Sequence, residues 1–104
     1  MNNRERDIER ALVGAVKRSG GLCLRWVCPG WVGLPTRIIL LHGGRVIFAD
    51  THPPHNDSEE QRAKVWRERI RSLGFIVWKI HDWKGMQAVE RYLDPIGQRD
   101  GRSK

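Results

Sequence analysis

Thr36, Asp50, His52 and Gln61 are the side chains in this sequence best suited to chemistry, joined by Glu5 and Glu9 near the N-terminus. Asp50 offers a hard anionic oxygen. His52 can serve as a base or bind a softer ion such as Mn²⁺ or Zn²⁺. With His55 they make an Asp-x-His-x-x-His run. Glu5 and Glu9 stand one helical turn apart and would share a face. By itself a histidine-bearing loop is ordinarily just polar, and a surface glutamate pair is ordinarily solvated. The surroundings decide whether these groups form a site.

The elements that must position them are readable from local pattern. Residues 38 to 41 (IILL) and 46 to 49 (VIFA) are apolar runs separated by His42-Gly43-Gly44, which predicts a β-hairpin. Thr36 lies just before its first strand, and Asp50 and His52 lie at the end of its second. Residues 4 to 18 repeat apolar groups at Ile8, Leu12, Ala15 and Val16, the stripe of an amphipathic helix, and Ser19-Gly20-Gly21 ends it. Residues 22 to 27 read as a strand. Residues 28 to 35 (CPGWVGLP) read as a loop, in which Trp31 could stack on a base or cap the core.

After the hairpin, THPPHNDSEE is too rich in proline and polar groups for regular structure. Asn56, Asp57 and Ser58 are N-cap candidates for a helix running to about Leu73, with Gly74 as its stop. Its inner face should carry Ala63, Trp66, Ile70 and Leu73, leaving Arg62, Lys64, Arg67, Arg69 and Arg71 outside. Residues 75 to 80 form the next strand. A last helix spans residues 86 to 93, with Asp94-Pro95 ending it, and residues 97 to 104 make a polar, disordered tail. The order α-β-β-β-α-β-α fits an α/β fold with a mixed sheet of about four strands flanked by helices.

At 104 residues the chain holds one domain, over residues 1 to 96. Its formal charge of +7 is large for that size and favours anionic partners, nucleic acid first and an anionic membrane surface second. No apolar run approaches a membrane span, and the charged N-terminus lacks the apolar segment of a signal peptide. Cys23 and Cys28 do not make a Cys-x-x-Cys pair and read as buried reduced thiols, which suits an intracellular, cytoplasmic protein. Arg25, Arg37, Arg45, Lys64, Arg67 and Arg71 are the candidate phosphate contacts, with Trp31 beside them.

A carboxylate-bearing first helix, PGxxGxP, a hairpin with Gly-Gly at its tip, an acid-x-base step and S-x-x-Q opening a helix form a pattern that resembles the VRR-NUC nucleases of the PD-(D/E)xK superfamily. The resemblance spans roughly residues 5 to 93, carried by PGWVGLPTRIILLHGGRVIFAD and SEEQRAKVWRERIRSLGFIV. It implies a restriction-endonuclease-like fold and a metal-dependent endonuclease using Mg²⁺ or Mn²⁺ on structured, branched or junction DNA. It also implies a homodimer encoded by a phage or bacterium. By the same resemblance Asp50, His52, Glu9 and Gln61 are the catalytic candidates, and Asp50, Glu9, Glu5 and Thr36 the metal ligands.

The sequence departs from that pattern in place. Thr36 stands where the family has Asp, Asp50 where it has Glu, and His52 where it has Lys. A hydroxyl at Thr36 keeps an oxygen and loses a charge, and Asp50 is one methylene short. Three functions compete: an endonuclease with a weakened site, a catalytically silent DNA-binding homologue, and a phage-encoded factor that inhibits or recruits a host protein.

Overall fold

Ile8, Leu12, Ala15 and Val16 do turn to one side of a helix, Asn3–Arg18 (α1), and all are buried. The computed structural model describes the backbone of residues 3 to 102 and the side chains of residues 4 to 93. After α1 come β1 (Leu22–Arg25), β2 (Arg37–Leu41), β3 (Arg45–Asp50), α2 (Asp57–Ser72), β4 (Ile76–Lys79) and α3 (Trp83–Arg102). The expected α/β class and element order are therefore present.

The strands lie in the order β1-β2-β3-β4. β1, β2 and β3 are antiparallel in turn, and β4 runs parallel to β3. A parallel neighbour needs a crossover, which α2 supplies. The hairpin closes as expected at His42–Gly44. There Gly43 and Gly44 take φ of 82° and 75°, left-handed values at which a Cβ would be strained.

Register decides which face each side chain serves, because paired residues point the same way. Ile39 pairs with Ile47, and Ala49 with Arg37. Ile39, Ile47 and Ala49 are fully buried in one apolar cluster with Leu12 and Val16 of α1 and Met86, Val89 and Leu93 of α3. That places α1 and α3 together on one face of the sheet. Each of these larger aliphatic side chains contributes about 1.5–3 kcal/mol by leaving water. Phe48 and Val77 point to the other face, where α2 packs, and Phe48 meets the rings of Trp26 and Phe75.

Several expectations need correction. Leu73 is 72% exposed and Trp66 only half-buried, while Arg67 is buried beside Ala63 and Ile70. A helix this rich in arginine gives its apolar pattern little authority over which face turns inward. α3 continues past Asp94-Pro95 to Arg102; proline removes one helical hydrogen bond without obliging the chain to leave the helix. The expected disordered tail, residues 97 to 104, falls where side chains are not described, and its last two residues lie outside the described residues altogether. Cys23 and Cys28 are free thiols, half-buried rather than buried. Among the described residues no helix is long and apolar enough to cross a membrane.

Candidate nucleic-acid groove and adjoining cleft

Strand alternation sends consecutive residues at the end of β3 to opposite sides. Asp50 faces α2, and Thr51 faces α1. Two carboxylate centres result, on the two sides of the sheet.

On the α1 side Glu9 Oε2 accepts two hydrogen bonds from Arg37, at 2.8 Å from Nη2 and 3.1 Å from Nε. Thr51 donates its hydroxyl to the other carboxylate oxygen. Having spent its proton there, Thr51 takes the hydroxyl of Thr36 as a donor across 3.0 Å. Burial pushes the Glu9 carboxyl up, but the bonds from Arg37 and Thr51 and the guanidinium charge outweigh it, and the net pKa lies below the ordinary carboxylate range.

On the α2 side Asp50 is only 4% exposed. Its Oδ2 lies 3.3 Å from Arg67 Nη1, and its Oδ1 accepts the backbone N–H of His52 at 3.2 Å. His81 Nε2 stands 3.7 Å from the same oxygen. Arg67 also reaches Glu60, which binds Lys79 at 3.2 Å. Hydrogen bonds from Arg67 and then Lys79 hold the Glu60 carboxyl below its usual range. His52 reaches back to Glu5 of α1, with Nδ1 to Oε2 at 3.4 Å.

Thr36, Asp50 and His52 nevertheless line one small cleft of about 230 Å³, with Pro54, Glu59 and Ala63. Thr36 and His52 also wall a larger groove of about 840 Å³. Arg6, Arg10, Arg25 and Arg37 line that groove, with Glu9 as its carboxylate and Trp26 and Trp31 as its aromatic wall. Gly33 fixes the loop between them against α2. Its φ is +92°, and an added Cβ would stand 2.9 Å from the Ala63 nitrogen.

The expected site residues are thus divided. Thr36, Asp50 and His52 come together, and Glu9 opens on the adjoining groove. Glu5 meets His52 from outside, in a separate depression with His55 and His81. Gln61 is exposed, and two residues later α2 brings Ala63 to the cleft instead. Of the candidate phosphate contacts, Arg25, Arg37 and Trp31 line the groove. Lys64 and Arg71 do not, and Arg71 is tied to the Val77 carbonyl at 2.8 Å. Arg45 sits at the hairpin tip, at the far end of β2 and β3 from the cleft, bonded to Tyr92 at 2.9 Å. Arg67 is no surface contact at all: its guanidinium is buried in the network around Asp50. Arg6, Arg10, Trp26, Thr51 and His81 were not singled out by motif. The helical spacing of Arg6, Glu9 and Arg10 was the available signal for the first pair.

The donor set does not fit a hard dication. Mg²⁺ wants carboxylate oxygens and waters. Here the Glu9 and Asp50 oxygens already accept from Arg37, Thr51, Arg67 and a backbone N–H. Among the described residues no three His, Cys, Asp or Glu side chains stand close enough to hold an ion.

The mixed sheet with α1 and α3 on one face and α2 on the other is the fold of VRR-NUC domains. A solved chain described as "VRR_NUC domain" superposes with a TM-score of 0.71, over 85% of this chain and 95% of that one, at 18% identity. The resemblance drawn from the sequence holds at the level of the fold. Among curated proteins the chain is similar to "Putative nuclease p44" of Acyrthosiphon pisum secondary endosymbiont phage 1, 39% identical over 51 residues, 49% of this chain. The match spans about half of that relative's length, 55%. No family model matches the sequence.

Proposed function

We propose that this chain is a nuclease-type DNA-binding protein whose arginine-lined groove holds the phosphodiester backbone beside the cleft of Thr36, Asp50 and His52. The observation that carries this reading is the charge of the groove. Arg6, Arg10, Arg25 and Arg37 surround a single carboxylate, Glu9, which is itself engaged by Arg37. Such a wall attracts phosphate and repels little of it. The nuclease name carried by the phage relative and the VRR-NUC fold make DNA the first choice among polyanions.

Binding is expected not to require a metal, since Arg37 and Arg67 already pair with Glu9 and Asp50. A mobility-shift titration in Mg²⁺ and in EDTA checks this, and an affinity no higher in Mg²⁺ than in EDTA is the expected result, since free Mg²⁺ only competes for the phosphates. A second reading is a metal-dependent endonuclease with a weakened site, acting on branched DNA as a homodimer. It is favoured by one observation, that the three substituted motif positions still share a cleft next to the groove. Incubation of single-stranded, duplex, flap and four-way-junction DNA with Mg²⁺ or Mn²⁺ separates the two. Cutting that disappears in folded Asp50→Asn protein establishes the endonuclease. Absence of cutting with intact binding establishes the silent homologue.

A further inference from the structure

We infer that the groove is built for an unpaired nucleotide of a single strand, with Trp31 as the surface on which its base stacks. This inference rests on the reading of the groove as the DNA site and names the form of DNA it takes.

Arginine alone would make a phosphate track indifferent to strandedness. This groove adds two indoles, Trp26 and Trp31, and the apolar groups Val13, Val27 and Leu34. Phosphate has no use for such surfaces, whereas an unstacked base has two apolar faces to cover. Trp26 is half-buried and held against Phe48, with ring centroids 5.2 Å apart. Trp31 differs, being 61% exposed in a loop that is otherwise well fixed. A hydrogen bond from its backbone N–H to the Cys28 carbonyl, 3.1 Å, closes the turn that carries it. Two residues on, Gly33 lies directly against the α2 backbone. Trp66 of α2 meets the indole edge-on at 5.5 Å. A large aromatic on a fastened loop, braced at one edge by Trp66 yet left open to water, costs little further entropy when a base arrives.

Position and size agree. Arg10 and Arg25 are exposed and line the same groove as Trp26 and Trp31, so phosphate contacts and a stacking surface share one groove. About 840 Å³ falls in the range of pockets that enclose a small ligand, large enough for a nucleotide. In a duplex the bases are stacked on one another and present no face to Trp31, so the groove should discriminate against it.

The test is fluorescence anisotropy of the full chain with a labelled oligothymidine and with a blunt duplex of the same length. Wild type should bind the single strand more tightly than the duplex. Trp31→Ala should weaken single-strand binding by about tenfold or more while changing duplex binding by less than about twofold. Trp31→Phe, which keeps an aromatic face and tolerates the Trp66 contact, should restore most of the loss. Trp31→Leu, apolar and bulky but without an aromatic face, covers the case in which the alanine variant unfolds, and should lose single-strand binding as alanine does. Arg10→Ala/Arg25→Ala should weaken both ligands. If Trp31→Ala and Trp31→Leu leave the single-strand to duplex ratio at the wild-type value while the arginine variant loses both, the stacking role is overturned and the groove remains the DNA site. If the arginine variant binds both ligands as wild type does, the groove is not the DNA site and both readings fall.

Discussion

At the scale of single residues, the chemistry of this protein is governed by the pairing of its carboxylates with arginines. Glu9 has a depressed pKa, so its ionised form is worth more in the folded chain than in the unfolded one. That contribution is fully present above the unfolded value, roughly pH 4.3, and is lost as pH falls through the lower folded value. Glu9→Gln should therefore flatten the acid limb of stability measured by urea unfolding between neutral pH and about pH 3. At neutral pH it should cost about 1–3 kcal/mol, because Arg37 loses its charged partner. Arg67 is the sharper case. Arg67→Met leaves the Asp50 charge buried without its guanidinium and should cost about 3–5 kcal/mol. Asp50→Asn added to Arg67→Met should recover much of the loss, since the uncompensated charge is then gone. Urea midpoints of the two variants compare them directly.

At the scale of elements, the groove depends on a short loop being fastened to α2. Gly33 carries the fastening, through a positive φ and a contact too close for any side chain. Gly33→Ala must shift backbone against backbone, so it should lower the melting temperature and reduce DNA binding together. A variant that melts earlier yet binds DNA with unchanged affinity would separate the loop from the groove. α2 itself begins where local chemistry dictates. Asn56 accepts from the Glu59 N–H at 2.9 Å, as an N-cap does. Its rotation about its own axis was less legible. Apolar spacing favoured Trp66 and Leu73 as inward groups, and the structure chose Arg67, because Asp50 at the end of β3 offers it a partner. Gln61, six residues before Arg67 and so more than one and a half turns earlier, lies on an exposed side and is turned away by the same rotation.

At the scale of the whole molecule, a net charge of +7 makes the proposed association with DNA a matter of counterion release. Affinity for duplex should fall with salt at a log-log slope of about −0.9 for each phosphate neutralised. Arg10→Ala/Arg25→Ala should make that slope shallower by about two contacts' worth, roughly 1.8. Anisotropy titrations across a salt series measure it, and a slope unchanged by the variant would mean that the contacts lie elsewhere on the surface.

The hairpin, the buried stripe of α1 and the approximate start of α2 were settled by the sequence itself, since each is a local pattern of apolar period or turn chemistry over a few residues. So was the convergence of Thr36, Asp50 and His52, because the two ends of a hairpin with a fixed turn must meet. Which arginine neutralises which acid was settled only by tertiary structure. Glu9 finds Arg37 28 residues away, and Asp50 finds Arg67 17 residues away. Charge has no sequence period, and a helix with arginines on several faces can satisfy its apolar residues in more than one rotation. Packing against the sheet selects the rotation, and with it the difference between a surface arginine and a buried counter-ion.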